Sequence, residues 1–228
     1  ELGQPDMIFL PGSKNTMGDL RWMRQNGLET AVKKLAVHIP VWGICGGYQM
    51  LGCTISDPHG VENENSLREP LRGMELIDTD TTLMPEKMRT QTRGKFENVT
   101  GIFSTLSGLE FSGYEIHMGK TTVSTGEHQT PLVQLADGRT DGVQRMEKGS
   151  EEPGVYGSYV HGIFDDGDIA VRIVQALADK KRVSWKPEAG GDYHAFKEQQ
   201  YDKLAQGLRE HLDMEYVYSI LQESRISV

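Results

Sequence analysis

A cysteine lies between glycines at the end of a short apolar run, in residues 40–52 (PVWGICGGYQMLG). Small residues on both sides of a nucleophile let the chain turn sharply from a strand into a helix. Gly43-x-Cys45-x-Gly47 has the spacing of the G-x-S-x-G turn, with sulfur in place of oxygen. A helix beginning after Cys45 would favour the thiolate, so we expect a lowered pKa. The N–H of Gly46 would point at a developing oxyanion. The alternative interpretation is a buried cysteine beside a tight turn.

A thiol nucleophile needs a nearby base, and His161 is our candidate among the seven histidines. It follows the apolar residues 155–160 and precedes a glycine. The carboxyl ends of parallel strands meet at one edge of a sheet, so we expect His161 and Cys45 to face each other there. The alternative is a strand-end histidine that hydrogen-bonds to the backbone.

A second glycine-containing loop, Gly12-Ser13-Lys14-Asn15, follows the first predicted strand. Gly12 permits close approach of the backbone and could supply a second oxyanion N–H group. The alternative is an ordinary Gly-Ser turn that leads into a helix capped by Asn15 or Thr16.

The elements that would position these residues alternate between strand and helix. Residues 6–11 (DMIFLP) read as a buried strand, and residues 16–37 carry apolar side chains at helical spacing, with a break expected at Gly27. Residues 39–44 read as a second strand and residues 45–51 as a helix. This order predicts a parallel sheet with crossover helices.

The middle of the chain is richer in strands. The predicted strands are residues 73–84, 88–99, 114–123, 131–135, 142–146 and 155–160, with turns at 124–130 and 147–154. Residues 168–181 and 193–212 read as helices, joined by a connector at 185–192. We therefore predict an α/β fold with a mostly parallel central sheet flanked by helices, of the flavodoxin-like type, and a strand-rich middle segment.

The composition excludes several classes of partner. The 228 residues include 24 basic and 33 acidic side chains, giving a net charge of −9, which disfavours nucleic acid and anionic membranes. No apolar run approaches the ~20 residues that a membrane span requires. Two cysteines make no disulfide framework, and we expect a cytoplasmic setting. We expect no metal site in this chain.

Five segments together resemble a known family, the class I glutamine amidotransferase domain of cobyric acid synthases, from cobalamin biosynthesis. They are FLPGSKNTMGDLRWMR (residues 9–24), GICGGYQMLG (43–52), GYEIHMGKT (113–121), YGSYVHGIFD (156–165) and EQQYDKLAQGLREHLDM (198–214). The segment GYEIHMG is the most specific, because it points to the corrinoid enzyme rather than to glutaminases in general.

The resemblance implies that this chain is part of a longer protein with two catalytic domains. Residues 1–183 would form the glutaminase domain, without its first strand, and residues 184–228 a C-terminal helical extension. An N-terminal synthetase domain, absent from this chain, would use ATP and Mg²⁺ to activate carboxylates of the corrin ring. This domain itself would hold no cofactor; its partners would be glutamine and, through the synthetase, the corrinoid.

The resemblance also implies roles for particular residues. Cys45 would be the nucleophile that forms a thioester, and His161 the acid and base. Gly12 and Gly46 would form the oxyanion hole, and Gln49, one helical turn after the nucleophile, would help to hold glutamine.

The chain departs from many class I glutaminases at Ile163, where a glutamate would complete a catalytic triad. Since the cobyric acid branch is similar in lacking it, we interpret the site as a Cys-His dyad. Asp165, Asp166 or a backbone carbonyl could orient the imidazole instead.

Residues 113–121 also come close to the phosphate-binding pattern G-x-x-x-x-G-K-[ST]. One residue too many lies between Gly113 and Gly119, and Thr121-Thr122-Val123 favours a strand. We predict a strand here, with Glu115 and His117 on one face.

Three other functions stay open from the sequence. The domain could be a non-catalytic module that binds a partner or corrinoid, which the missing glutamate favours. It could be a thiol hydrolase or peptidase on a related sheet. It could also serve a sister ligase, either cobyrinic acid a,c-diamide synthase or an enzyme that amidates cell-wall precursors, although GYEIHMG argues against both.

Overall fold

The computed structural model describes residues 3–62, 69–124, 128–146, 153–187 and 193–226. The chain divides into two compact units, Glu1–Lys186 and Pro187–Val228. The turns predicted at 124–130 and 147–154, and the connector at 185–192, lie partly outside the described residues. The predicted domain organisation, including the missing first strand and the preceding synthetase, stays a prediction.

The first unit is built on one large sheet, whose described strands number ten. In chain order these are β1 (Ile8–Leu10), β2 (Val41–Ile44), β3 (Thr54–Ser56), β4 (Leu71–Arg72), β5 (Thr79–Phe96), β6 (Glu110–Val123), β7 (Gln129–Leu135), β8 (Thr140–Arg145), β9 (Val155–Ser158) and β10 (Val160–His161). Their spatial order is β1-β2-β9-β8-β7-β5-β3-β4, and β6 pairs with both β5 and β10.

The predicted α/β class and the strand-rich middle segment are confirmed, but parallel pairing is less extensive than we predicted. Among the strand pairs of the described residues, β1–β2, β2–β9 and β3–β5 are parallel and the others are antiparallel. The reason is connectivity. The middle strands follow one another through turns and join the sheet that carries the crossover units, so the sheet is mixed.

The two strands predicted at 73–84 and 88–99 form the single strand β5, which pairs with β6 along most of its length. The register shifts between Leu83 and Met88, so a bulge interrupts the ladder there. The bulge lies opposite residues 117–119 of β6.

Helices of the first unit lie on both faces of the sheet. They are α1 (Thr16–Gln25), α2 (Leu28–Leu35), α3 (Gly46–Leu51), a 3-10 helix (Gly101–Leu106) and α4 (Gly167–Lys181). The predicted break at Gly27 is confirmed, since this residue has φ +73° between α1 and α2. Asn15 caps α1 by accepting a hydrogen bond from the Gly18 N–H.

Two hydrophobic clusters form the core, one on each face of the sheet. Alternation along β2 directs Val41 into the first cluster and Trp42 into the second. The first cluster includes residues of α1, α2 and α3, whereas the second includes the 3-10 helix and α4. This layering holds the carboxyl ends of β1 and β2 in place.

The second unit consists of α5 (Tyr193–His211) and α6 (Met214–Ile226). On the first of these helices, the large apolar side chains of Tyr201, Leu204 and Leu208 are exposed. None of the helices in the described part of the chain is both long and apolar enough to cross a membrane.

Candidate active site

The turn between β2 and α3 holds Cys45 in a strained conformation, with φ 52° and ψ −109°. A non-glycine residue seldom adopts positive φ, and such strain is concentrated at functional sites. The neighbouring glycines leave no room for side chains. A Cβ atom at Gly43 would lie 2.7 Å from the Gly47 carbonyl carbon, and one at Gly47 would overlap the Leu10 carbonyl. The predicted sharp turn is therefore present, and it needs these glycines.

The Cys45 thiol is buried, with 7% of the residue exposed, and its Sγ lies 3.5 Å from the Ile116 carbonyl oxygen. Burial raises the pKa of Cys45, and hydrogen bonding from the Gly46 backbone opposes this by stabilising the thiolate. Our expectation of a lowered pKa was wrong in its net direction. The six-residue helix α3 does offer an N–H group, but the loss of hydration outweighs it.

His161 is the last residue of β10, and its ring is half-buried. Its Nε2 atom is buried and has no hydrogen-bond partner among the described residues. Burial lowers the pKa of His161, the nearby His117 lowers it further, and hydrogen bonding to the Ile116 backbone opposes both. The unpartnered Nε2 therefore stays available for proton transfer.

Three residues from separate elements converge at this point. A Cβ atom placed on Gly12, after β1, would lie 3.1 Å from Cε1 of His161 and 3.6 Å from Cβ of Cys45. A Cβ on Gly46 would lie 2.8 Å from the Ser13 amide nitrogen, so the loop after β1 packs against the start of α3. The structure thus brings Cys45, His161, Gly12 and Gly46 together, as the sequence interpretation requires.

Gln49 lies one turn along α3 and is 3% exposed. Its Nε2 donates a hydrogen bond to the Tyr159 hydroxyl (3.2 Å), and that oxygen is 2.5 Å from Oγ1 of Thr121. Gln49 also lines the cavity that contains Cys45, so its amide is positioned by neighbours while bordering the site.

The cavity that contains Cys45 and His161 has a volume of about 530 Å³, large enough for an amino acid. Charged side chains of both signs line it, namely Lys14, Glu62 and Lys87. The Glu62 carboxylate accepts a hydrogen bond from the Met17 N–H at the start of α1 (2.9 Å). A zwitterionic ligand such as glutamine would meet both signs of charge here.

At the sequence position where a triad carboxylate would stand, the chain has a residue of the hydrophobic core. Ile163 is fully buried and belongs to the second hydrophobic cluster. Of the two predicted substitutes, Asp166 accepts a hydrogen bond from the Ser112 N–H (3.0 Å). The third possibility was a backbone group, and the Ile116 backbone raises the pKa of His161 against the effect of burial.

The sequence interpretation missed Tyr114 as a neighbour of the site. Residues 113–119 lie within β6, as predicted, and Glu115 and His117 are close, with 3.7 Å between Oε1 and Nε2. Tyr114 lies against His161 through the antiparallel pairing of β6 with β10. The distinctive GYEIHMG segment was the available signal, but nothing in it reveals the pairing partner. No cluster of side chains able to hold a metal ion occurs in the described part of the chain.

The sheet thus carries a cysteine on the turn between β2 and α3, and an imidazole at the end of β10 borders the same cavity. The chain belongs to the family of CobB/CobQ-like glutamine amidotransferase domains, whose model matches residues 1–169. The family resemblance inferred from the sequence is confirmed.

Among curated relatives, the chain is similar to proteins named cobyric acid synthase. It is 47% identical to that of Ruminiclostridium cellulolyticum over 225 residues, covering 98% of this chain and 42% of the relative. It is 38% identical to that of Lachnoclostridium phytofermentans, covering 98% and 44%, and 40% identical to that of Photorhabdus laumondii, covering 96% and 42%. The chain thus spans less than half the length of these relatives.

Solved structures of similar fold are more distant. A crystal structure of glutamine amidotransferase matches with a TM-score of 0.49 and 15% identity, covering 80% of this chain and 82% of the other. PurLQS from Thermotoga maritima matches with a TM-score of 0.49 and 14% identity, covering 79% and 82%. At this level of similarity they add nothing to the family assignment.

Proposed function

We propose that this domain hydrolyses glutamine through the Cys45–His161 dyad and delivers the ammonia for ATP-dependent amidation of carboxylates on a corrin ring. The observation that carries the proposal is the convergence of Gly12, Cys45 and His161 on one cavity. Family membership supports the use of glutamine, and the printed name of the relatives supports the corrinoid acceptor.

The first half of the proposed reaction forms a thioester. Nε2 of His161 takes the proton from the Cys45 thiol as sulfur attacks the side-chain amide carbon of glutamine. The N–H groups of Gly46 and Gly12 donate hydrogen bonds to the oxyanion. The tetrahedral intermediate then collapses, His161 gives its proton to the leaving nitrogen, and ammonia departs. Sulfur and the glutamyl carbonyl remain joined.

The second half restores the thiol. His161 takes a proton from water as the water oxygen attacks the thioester carbon, and the same two N–H groups stabilise the second oxyanion. On collapse, the C–S bond breaks and the proton returns from His161 to Cys45. The net change is glutamine plus water to glutamate plus ammonia.

The amidation itself would take place outside this chain. ATP and Mg²⁺ would be bound by a synthetase portion, where a corrin carboxylate is activated and captured by ammonia. Ammonia must travel before bulk water protonates it, so an enclosed route is expected between the two centres.

Cysteine replacement tests the proposal in the complete enzyme. Cys45→Ala should reduce glutamine-dependent amidation by about 10⁴-fold or more, while amidation driven by added ammonium salt persists. Cys53→Ala is the matched control, since this cysteine does not line the cavity that contains His161. Glutamine-dependent turnover that survives Cys45→Ala would refute the proposed nucleophile.

A non-catalytic module that binds a partner or corrinoid is the second candidate. The core residue Ile163 at the place of a triad carboxylate, together with the raised pKa of Cys45, favours it. Incubation with radiolabelled glutamine and acid quenching separates the two functions. A glutamyl adduct on Cys45 supports hydrolysis, whereas binding without adduct or glutamate supports the module.

A further inference from the structure

Strand β6 lies directly beside the strand that ends in His161. The two are antiparallel, with Val160 opposite Glu115 and His161 opposite Tyr114. This pairing brings the backbone of residues 114–116 beside the strand that carries the imidazole. The GYEIHMG segment is thus part of the wall of the site.

The Tyr114 ring stacks on the His161 ring. Their centroids are 5.2 Å apart and the ring planes differ by 3°. A parallel stack restricts rotation of the imidazole about its χ2 angle, which is otherwise broad for histidine. Tyr114 is 44% exposed, so its outer face is open to solvent while its inner face covers the imidazole.

The Ile116 backbone lies beside both members of the dyad. Its carbonyl oxygen is 3.5 Å from the Cys45 Sγ, and the influence of the Ile116 backbone raises the pKa of His161 against the effect of burial. Nε2 of His161 is buried and has no hydrogen-bond partner among the described residues.

Strand β6 is held firmly on its other face. Glu115 is 1% exposed and accepts two hydrogen bonds from Arg139 of the loop before β8, at 2.7 and 3.3 Å. His117 and Arg139 together lower the pKa of Glu115 to about 2. An ionised, fully paired carboxylate at this depth resists displacement of the strand.

We propose that β6 replaces the triad carboxylate. Tyr114, whose ring stacks on the imidazole, is the positioning residue that orients His161. The catalytic meaning of this proposal rests on the proposed function, whereas the orientation of the ring does not.

The electrostatic surroundings of His161 come from several elements. The titratable or charged groups that line its cavity or flank it are Lys14, Cys45, Glu62, Lys87, Tyr114, His117 and Asp165. Burial lowers the pKa of His161, and of the groups in this list His117 lowers it further. Removing the Tyr114 ring would admit water to the imidazole and lessen the burial, so the pKa should rise.

The activity test compares two variants of Tyr114 in the full chain. Tyr114→Ala should lower kcat for glutamine hydrolysis by about 10- to 100-fold with a small change in KM, and should move the acid limb of the rate profile to higher pH. Tyr114→Phe keeps the ring and should restore both. Equal loss in the two variants would overturn the proposal, because it would assign the effect to the hydroxyl.

A titration of His161 by NMR gives a readout that needs no turnover. The imidazole signals are assigned by their loss in His161→Asn, and the pKa is measured in the unmodified protein and in both Tyr114 variants. The proposal expects a higher pKa in Tyr114→Ala and no change in Tyr114→Phe. An unchanged titration in Tyr114→Ala would refute it. If the titrations behave as expected but no glutamine is hydrolysed, the proposed function fails and the positioning stands.

Discussion

At the scale of single residues, Cys45 and His161 both favour their neutral forms in the unliganded protein. Burial raises the pKa of the thiol and lowers that of the imidazole. A thiolate–imidazolium pair would place two charges in a poorly hydrated cavity, which the surroundings oppose. In the unliganded protein the proton therefore rests on sulfur. Under the proposed mechanism, the hydrogen bond from the Gly46 backbone would stabilise the sulfur as negative charge develops on it.

Alkylation of Cys45 with iodoacetamide tests this state. The thiolate is the reactive form, so the rate should rise about tenfold for each pH unit between neutrality and the thiol pKa, which lies above its usual value. The measurement is a series of labelling rates followed by mass spectrometry.

Cys53 must be removed from that experiment. Burial raises the pKa of its thiol as well, so its labelling rate would rise with pH in the same way. A Cys53→Ser background isolates the signal from Cys45. A rate that is already on a plateau at pH 7 would contradict the prediction, because it would indicate a preformed ion pair with His161.

The error in the predicted pKa of Cys45 has a plain physical cause. The pattern Gly43-x-Cys45-x-Gly47 contains the turn and the following helix, so both could be predicted. It carries no information about the strand that covers the sulfur, and Ile116 is 71 positions away. The burial of the thiol depends on that distant strand, and burial decides whether the pKa of Cys45 is raised or lowered.

At the scale of elements, α3 packs against β1 at Gly47, where no side chain separates the two backbones. A Cβ atom on Gly47 would overlap the carbonyl of Leu10, which belongs to β1 and cannot rotate away as a flexible side chain could. Gly47→Ala should therefore destabilise the first unit by roughly 2 kcal/mol or more, despite the better helix propensity of alanine. Urea unfolding followed by tryptophan fluorescence measures the change, because Trp42 of the first unit is fully buried and becomes exposed on unfolding.

Gly207→Ala is the matched control for Gly47→Ala. Gly207 lies within α5, and a Cβ atom there would meet nothing within 4 Å. The transition reported by Trp42 should keep its midpoint in this variant. A midpoint for Gly47→Ala as high as that of the unmodified chain would show that the β1–α3 contact can relax.

The strands show how far a sequence pattern reaches. The order of elements through residue 51 follows from hydrophobic periodicity and glycine breaks, and the structure agrees with it. The pairing of β6 with β10 joins residues 45 or more positions apart, as with Val160 and Glu115, and no local pattern contains it. For this reason the cysteine and histidine could be proposed from the sequence, but Tyr114 and the Ile116 carbonyl could not.

At the scale of the molecule, both hydrophobic clusters consist of residues from the first unit alone. Among the described residues, neither cluster includes a side chain from Pro187 onward. We expect a chain ending at Lys186 to fold, with a cooperative thermal transition.

Differential scanning calorimetry and Cys45 labelling of the truncated chain measure this prediction. The transition should stay cooperative, and the pH dependence of labelling should match that of the full chain. Loss of cooperativity, or rapid labelling of Cys45 at pH 7, would mean that residues 187–228 support the first unit.

The crowding around Cys45 bears on how this domain can change over generations. Side chains at Gly43 and Gly47 would collide with main-chain atoms, so we expect folding to favour these glycines whether or not the proposed activity is retained. The glycines of the turn are thus required by the fold. Cys45 and His161 are required by the proposed activity and not by packing alone. In a descendant that had lost the activity and kept the fold, we expect substitutions to occur first at positions 45 and 161.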